Sequence, residues 1–118
     1  MAPEAEYRGN LAAGRFMLQR GVTSGKAFFP PRTHEPLTGD MAEWFEASGR
    51  GTVYAVTIAR KRDPEPDYTI VLVDLDEGPR LMSRVDGIAP DEVKIGLAVQ
   101  AKIIGESDMP VLVFEVAA

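Results

Sequence analysis

The chain has 118 residues, carries a formal net charge of −5 and contains no cysteine. The length allows a single domain with its own hydrophobic core. The lack of cysteine excludes disulfide bonds, thiolate metal sites and a thiol nucleophile. The negative charge disfavours a sequence-independent nucleic-acid surface, since such surfaces are basic.

Two features of the sequence bear on its location in the cell. No stretch approaches the run of about 18 apolar residues that a membrane-spanning helix requires. The first residues, 1–6, are acidic and lack the basic start and apolar core of a signal peptide. We therefore expect a cytoplasmic protein.

The first segment, residues 1–20, is predicted to form an N-terminal helix. Tyr7 and Leu11 lie four residues apart and therefore share one helical face. Gly9 and Gly14 each cost about 1 kcal/mol relative to alanine, so the helix is expected to need a surface to pack on. Residues 16–20 are also compatible with the start of a strand.

The second segment, residues 21–47, begins with a long irregular stretch that glycines and prolines interrupt. A stretch of this length without regular structure is unusual in a compact domain unless it is functional or replaces something. Its clearest candidate for recognition is the run Phe28, Phe29, Pro30, Pro31 and Arg32. The aromatic rings suit an adenine or pantetheine group, and a guanidinium suits a phosphate.

The alternative for this run is that both phenylalanines fill space and that Arg32 is a surface charge. Trp44, just before the first predicted barrel strand, has a similar ambiguity. It can plug the junction between segments, or it can contact a partner, since tryptophan is enriched at binding hot spots.

The third segment, residues 48–118, alternates β-forming runs with turn signals. Strands are predicted at 52–59, 68–74, 80–85, 99–104 and 111–116, with a helical turn at 90–92. Five strands with a helical turn between the third and the fourth match the plan of an OB barrel. The predicted fold is therefore mainly β, a five-stranded OB barrel with an N-terminal appendage.

Four cations of this segment are candidates for binding a phosphate. Arg50 lies in a Ser-Gly-Arg-Gly turn whose backbone N–H groups can cradle a phosphate, although such a turn more often simply opens a strand. Arg60, Lys61 and Arg62 lie on the loop between the first two barrel strands, a loop that often binds ligands in OB folds. The alternative is a solvated loop whose cations are offset by acidic neighbours, namely Asp63, Glu65 and Asp67.

The sequence offers little for catalysis. His34 is the only histidine, and no nucleophile stands at a recognisable spacing from a base. The carboxylates Asp74, Asp76 and Glu77 precede a Gly-Pro pair, which is a turn signature. An independent enzyme is not expected.

Several strings together resemble a known family, the Zn-ribbon OB-fold family, domain of unknown function thirty-five. They occur in order over nearly the whole chain: Gln19-Arg20, Phe28 to Arg32, Ser48 to Tyr54, Val73 to Met82 and Ile95-Gly96. Members typically have an N-terminal helix, a four-cysteine rubredoxin-like zinc ribbon and an OB barrel. They are typically found with thiolases, hydroxymethylglutaryl-CoA synthases, steroid side-chain aldolases or hydratases.

The resemblance also implies a departure from the family. Where members have two Cys-x-x-Cys knuckles, this chain has Gly21 and Ser24, then Glu35 and Thr38. Glycine has no ligand atom, and hydroxyl groups are poor zinc ligands at neutral pH. We therefore expect residues 21–47 to form a degenerate ribbon without zinc, and no other cofactor.

By this resemblance, the expected function is that of a non-catalytic accessory protein that helps position acyl-CoA. It would pack against a thiolase-like enzyme, a hydratase or an aldolase, and self-association is compatible with the sequence. The residues expected to contact acyl-CoA or the partner are Phe28, Phe29, Pro31, Arg32, Trp44, Arg50, Arg60, Lys61 and Arg62. The alternative is a single-stranded nucleic-acid-binding OB protein, which would need a positive groove with stacking aromatics.

Overall fold

The computed structural model of the protein describes residues 2–36, 38–62, 64–105 and 108–117. Within these ranges there is one α-helix, α1 (Pro3–Ala12), and a single-turn 3-10 helix at Pro90–Glu92. The strands of the same ranges are β1 (Met17–Gly21), β2 (Ala27–Phe28), β3 (Ala42–Glu46), β4 (Arg50–Ala59), β5 (Tyr68–Leu75), β6 (Arg80–Ser83), β7 (Ala98–Ile104) and β8 (Val111–Val116).

The strands form two antiparallel sheets, one ordered β2-β1-β3 and one ordered β6-β5-β4-β7-β8. The larger sheet closes on itself where Val85, just past β6, forms a parallel bridge with Phe114 of β8. The Phe114 N–H donates to the Arg84 carbonyl oxygen over 2.9 Å. This partly open, five-stranded barrel confirms the predicted OB fold.

Strand periodicity places the core of the barrel. Alternate residues of β5 point inward, so Val71 and Val73 are buried, and Phe114 of β8 is fully buried at the closure. Each such side chain contributes about 1.5–3 kcal/mol relative to exposure. Thr69 is buried among them, and its hydroxyl accepts the Val85 N–H over 2.9 Å, which satisfies both groups.

A β-bulge bends the longest strand. The β4–β5 register shifts between Val53 and Ala55, which leaves Tyr54 as the extra residue. Before the bulge Gly51 allows a close approach, since a Cβ there would lie 2.6 Å from the Val73 Cγ1 atom. The strand pairs with β5 from Gly51 to Ala59, interrupted by the bulge, but with β7 only between Arg50 and Thr52.

The N-terminal helix is shorter than the predicted segment. It ends at Ala12, and Gly14 adopts a positive φ of 80°, which a helix cannot continue. Of the two alternatives for residues 16–20, the structure shows the strand, because β1 pairs with β3 along its length. That pairing joins residues far apart in sequence, and it outweighs the local helical preference.

The three predicted segments share one hydrophobic core. Phe16 and Leu18, from the N-terminal part, are buried in the same cluster as Val53 and Val99 of the barrel. The boundaries at residues 20 and 47 therefore mark changes in sequence composition. That the three segments are separate domains stays a prediction.

None of the helices in the described ranges is long and apolar enough to cross a membrane.

Candidate functional site

A groove lies between α1, the segment after β2, β6 and the start of β8. Its volume is about 540 Å³, within the range of small-molecule sites. We call it the helix groove. It is lined by Glu4, Tyr7, Arg8 and Leu11 of α1, by Phe29, Pro30, Pro31 and Arg32, and by Leu81, Met82, Pro110, Val111 and Leu112.

Two aromatic rings form one wall of the helix groove. Tyr7 and Phe29 meet edge to face, with ring centroids 5.5 Å apart and planes at 66°. Burial raises the pKa of the Tyr7 hydroxyl to about 12, against a smaller opposing effect of Arg8. The hydroxyl is therefore protonated at neutral pH, where it can donate a hydrogen bond.

The segment that carries Phe29 is held by a buried amide. The Gln19 Nε2 atom donates to the Arg32 carbonyl oxygen, and the Arg32 N–H donates to Gln19 Oε1, each over 2.7 Å. Gln19 is only 4% exposed, so losing either bond would leave a buried polar atom without a partner. A strand of the smaller sheet thus fixes the backbone at the mouth of the groove.

Charge at the mouth of the helix groove is net positive. The Arg8 Nη2 atom lies 3.6 Å from the Oε1 atom of Glu4, which is one turn away on an exposed face of α1. Arg32 is exposed, and within the described ranges its side chain forms no ion pair or hydrogen bond. A free guanidinium of this kind suits a phosphate or carboxylate of a ligand.

The outer rim of the helix groove is apolar and exposed. Met82, on the outward face of β6, is 69% exposed, and Met109, next to the start of β8, is 73% exposed. Val111, which lines the groove as Met82 does, is also exposed. Flexible, exposed methionines beside a groove are typical of surfaces that bind a partner.

The predicted site residues separate into those that line the helix groove and those that do not. Phe29, Pro31 and Arg32 line it. Phe28 belongs to β2 and does not, and Trp44 of β3 instead donates a hydrogen bond from Nε1 to Glu6 Oε2 over 2.9 Å. That bond fastens α1 to the smaller sheet, in keeping with a junction role for Trp44.

Arg50 and the basic cluster lie at opposite ends of β4. The strand has 10 residues, which span about 30 Å at ~3.3 Å per residue. The Ser48 N–H donates to Glu77 Oε2 over 2.7 Å, and the Arg50 N–H donates to Ser48 Oγ over 3.1 Å. Both N–H groups already have a side-chain acceptor, which favours a strand-opening role over a phosphate cradle.

Two members of the basic cluster have partners of their own. Arg60 donates to Asp67 Oδ2 over 3.1 Å and to Asp91 Oδ1 over 3.2 Å, and these bonds raise the pKa of its guanidinium. The Lys61 ammonium lies 5.5 Å from the Tyr68 ring centroid. Arg62 is exposed, and Asp63, named with the offsetting acids, lies outside the described residues. A ligand role for the cluster stays a prediction.

The positions of the family's knuckles hold a hydrogen-bond network. Asp40 Oδ2 accepts the N–H groups of Thr23 and Ser24 over 2.7 and 3.1 Å, and these bonds lower the pKa of Asp40. Buried Glu35 accepts a hydrogen bond from the Thr38 hydroxyl. Within the described residues no three of His, Cys, Asp and Glu cluster as metal ligands would. Hydroxyl groups such as that of Thr38 are poor zinc ligands, and the absence of zinc stays a prediction.

Sequence reasoning missed part of the helix groove. It placed Tyr7 and Leu11 on one helical face but assigned them no role at a site. It did not identify Arg8, Met82 or Val111. Strand alternation was the available signal for Met82, which follows buried Leu81 on the outward face of β6. Val111 gave no such signal, because it has the same strand parity as Val113, which is buried.

A family model described as "ChsH2, C-terminal OB-fold domain" matches residues 44–103. A "Probable enoyl-CoA hydratase alpha subunit" of Thermomonospora curvata is 36% identical over 72% of this chain and 28% of its own length. A "DUF35 domain-containing scaffold protein" of Pyrococcus furiosus is 33% identical over 65% of this chain and 60% of its own length. The chain therefore spans less than two thirds of these curated relatives.

Solved structures extend the similarity along the chain. The structure named "Ltp2-ChsH2(DUF35) aldolase" superposes with a TM-score of 0.86 at 30% identity, covering 98% of this chain and 95% of that one. A DUF35-family protein of unknown function from Sulfolobus solfataricus shares the fold, with a TM-score of 0.69 at 19% identity over 96% of this chain and 84% of that one. The family resemblance found in the sequence is confirmed.

Proposed function

Because this chain belongs to the family of the ChsH2 C-terminal OB-fold domain, we propose that it is a non-catalytic accessory protein of an acyl-CoA enzyme. It binds acyl-CoA in the helix groove and packs against the enzyme beside that groove. The observation that carries the proposal is the similarity over 98% of the chain to a DUF35 chain in a structure named as an aldolase. The curated relative named as a hydratase subunit points to the same class of chemistry.

The chemistry of the helix groove supports an acyl-CoA ligand. Its aromatic wall, Tyr7 and Phe29, suits the apolar acyl or pantetheine part. The unpaired guanidinium of Arg32 and the nearby Arg8 suit the phosphates at the mouth. The protonated Tyr7 hydroxyl can donate a hydrogen bond to an amide or thioester oxygen.

The exposed rim supports a partner at the same place. Met82 and Val111 line the groove, exposed Met109 precedes the lining residue Pro110, and an enzyme packed on them would cover the open side of the groove. A ligand would then lie between the two proteins, with the reacting groups supplied by the enzyme. That enzyme can be thiolase-like, a hydratase or an aldolase, and the cytoplasmic location stays a prediction.

None of the three acidic groups with a shifted pKa, Tyr7, Asp40 and Asp67, is suited to acid–base catalysis near neutral pH. Tyr7 is too weak an acid to work near neutral pH, and hydrogen bonds hold the pKa values of Asp40 and Asp67 below their usual range. A general base or acid works best with a pKa near the operating pH. The proposed role therefore leaves bond making to the partner.

The nucleic-acid alternative gains no support from the aromatic side chains of the barrel. The guanidinium of Arg80 lies 3.5 Å from the centre of the Tyr54 ring and is bonded to Asp74. Lys61 similarly lies over Tyr68. These rings already have one face covered by a cation, and the chain is acidic overall.

Purification of the chain from its native host, followed by mass spectrometry and calorimetry with acyl-CoA, tests the proposal. We expect an acyl-CoA enzyme to co-purify in stoichiometric amount, and acyl-CoA to bind the complex. Turnover of acyl-CoA by the isolated chain would overturn the non-catalytic role. Binding of an oligonucleotide with a steep salt dependence, and of no acyl-CoA, would overturn the whole proposal.

A further inference from the structure

A second groove borders the part of β4 that follows its bulge. Val56 and Ile58 of β4 form one side, and Val93 and Ile95 form the opposite side. Its volume is about 570 Å³, and Ile95 is 71% exposed although it is apolar. We call it the β4 groove.

On the side of β4 that faces β7, backbone hydrogen bonding stops where the β4 groove begins. Val53 is the last residue bonded on that side: its N–H donates to the Leu97 carbonyl over 3.0 Å and its carbonyl accepts the Gly96 N–H over 2.8 Å. After the bulge at Tyr54, β4 continues to Ala59 with β5 as its only described neighbour.

The hydrogen-bond direction of each later residue follows from the ladder. The Leu75 N–H donates to the Pro79 carbonyl, on the β6 side of β5. Successive residues of an antiparallel strand direct their backbone N–H and C=O groups to opposite neighbouring strands. The even-numbered residues of β5, including Leu72 and Ile70, therefore direct these groups toward β4. They lie opposite Ala55 and Thr57.

Val56 and Ile58 consequently direct their backbone N–H and C=O groups into the β4 groove. Within the described ranges, neither backbone forms a hydrogen bond on that side. Their side chains also line the groove. An unpaired strand edge beside an apolar groove is a template on which another strand can pair.

Charge defines the occupant further. Two cations and one acid line the groove: Arg60, Lys94 and Asp91. Arg60 already bonds to Asp91 and to Asp67, whereas Lys94 forms no ion pair with any residue the structure describes. Lys94 is therefore the cation of the groove lining that has no ion-pair partner among the described residues.

We propose that the β4 groove receives an extended segment of a partner polypeptide, which pairs with the edge of β4 at Val56 and Ile58. The segment has apolar side chains at alternate positions, which fill the groove beside Val93 and Ile95, and an acidic residue that meets Lys94. This surface is distinct from the helix groove and its rim, so it adds a second point of attachment to the chain.

Amide hydrogen exchange of the full chain tests the free edge first. We expect the amides of Val56 and Ile58 to exchange faster than those of Ala55 and Thr57 by about tenfold or more, because only the latter pair with β5. Equal protection of all four amides would mean that the edge is already satisfied, and the proposal would fail.

Synthetic peptides then test the occupant. Two probes share one pattern of alternating valine and threonine and differ only in carrying glutamates or lysines at the ends. We expect the acidic probe to bind and to slow exchange at Val56 and Ile58, and the basic probe to bind at least about tenfold more weakly. Failure of both probes would overturn the proposal, and protection that rises with protein concentration alone would assign the edge to a second copy.

Variants separate the edge from the charge. Ile58→Pro removes the N–H that faces the groove and leaves the β5 ladder intact, since proline is tolerated where a strand N–H is unpaired. Lys94→Glu should weaken binding of the acidic probe and strengthen binding of the basic one, whereas Lys26→Glu, a matched reversal at an exposed position before β2, should change neither. The Lys94 result remains decisive if Ile58→Pro does not fold. If Lys94→Glu leaves the preference between the two probes unchanged, the charge assignment is overturned.

Discussion

The side-chain amide of Gln19 forms both of its strong hydrogen bonds with the backbone of one residue, Arg32, at 2.7 Å each. Gln19 lies on the middle strand of the smaller sheet, and Arg32 lies at the mouth of the helix groove. The contact therefore transmits the position of that sheet to the groove wall. It also gives the degenerate ribbon a role in building the proposed ligand site.

Gln19→Ala should destabilise the chain and loosen the groove wall. The change removes two hydrogen bonds and leaves the partly buried N–H and C=O groups of Arg32 without partners. We expect the free energy of unfolding to fall by about 1–3 kcal/mol. Urea unfolding measures the change in free energy. Gln100→Ala is a matched control, because the Gln100 Nε2 atom makes one bond, to the Ser48 carbonyl, at an exposed position. Equal losses for the two variants would refute a special role for Gln19.

Phe29 and Phe28 provide a direct comparison for ligand binding. Phe29→Ala combined with Arg32→Ala should weaken acyl-CoA binding by about tenfold or more, because both side chains line the helix groove. Phe28→Ala should have little effect, since Phe28 lies in β2 outside it. Calorimetry with acyl-CoA distinguishes the variants, and a larger effect of Phe28 would move the ligand away from this groove.

The barrel could be predicted from the sequence because its strands carry their own signal. Residues 68–74 are a near-continuous run of β-forming and apolar residues ahead of an Asp-Glu-Gly-Pro turn signal, so β5 can be recognised without knowing its neighbours. The run 111–116 that follows Pro110 marks β8 in the same way, and its predicted and observed bounds coincide. Composition and turn signals of this kind need no long-range information.

The grooves could not be predicted because they depend on contacts between distant residues. The helix groove needs Tyr7 to meet Phe29 and needs Gln19 to hold Arg32, and neither pairing leaves a periodic signal. The β4 groove follows from a bulge at Tyr54, which only the pairing with β5 reveals. The predicted helix gives way to a strand at Met17–Gly21 for a similar reason, since β3 is the partner that decides it.

Asp40 predicts a pH dependence of stability. Its folded pKa lies below the unfolded value, so its stabilisation is present above the unfolded pKa of about 3.9 and is lost as pH falls through the folded pKa. Asp40→Asn should therefore lower Tm near neutral pH, and the difference from the parent chain should vanish in strong acid. Thermal unfolding across pH measures this.

Asp76→Asn is the control for that series. Asp76 is exposed, and no side-chain hydrogen bond is seen for it within the described residues, so its Tm difference should stay small at every pH. A constant difference for Asp40→Asn from neutral to acidic pH would mean that its carboxylate charge does not hold the two knuckle positions together.

Restoring cysteines should convert the knuckle positions into a zinc site. A Cβ at Gly21 would lie 2.5 Å from Ser24 Oγ and 2.8 Å from Asp40 Oδ2, and the side chains of Glu35 and Thr38 already touch. If these positions are a degenerate ribbon, cysteine at 21, 24, 35 and 38, with Asp40→Ala to clear space, should bring four thiolates around one point, as tetrahedral zinc requires. We expect one equivalent of zinc by elemental analysis and a higher Tm that a chelator reverses.

A variant with cysteine only at 21 and 24 is the control, and it should bind zinc weakly. If the four-cysteine chain folds but also binds it weakly, the two knuckle positions do not converge as a zinc ribbon does, and the idea of a degenerate ribbon fails.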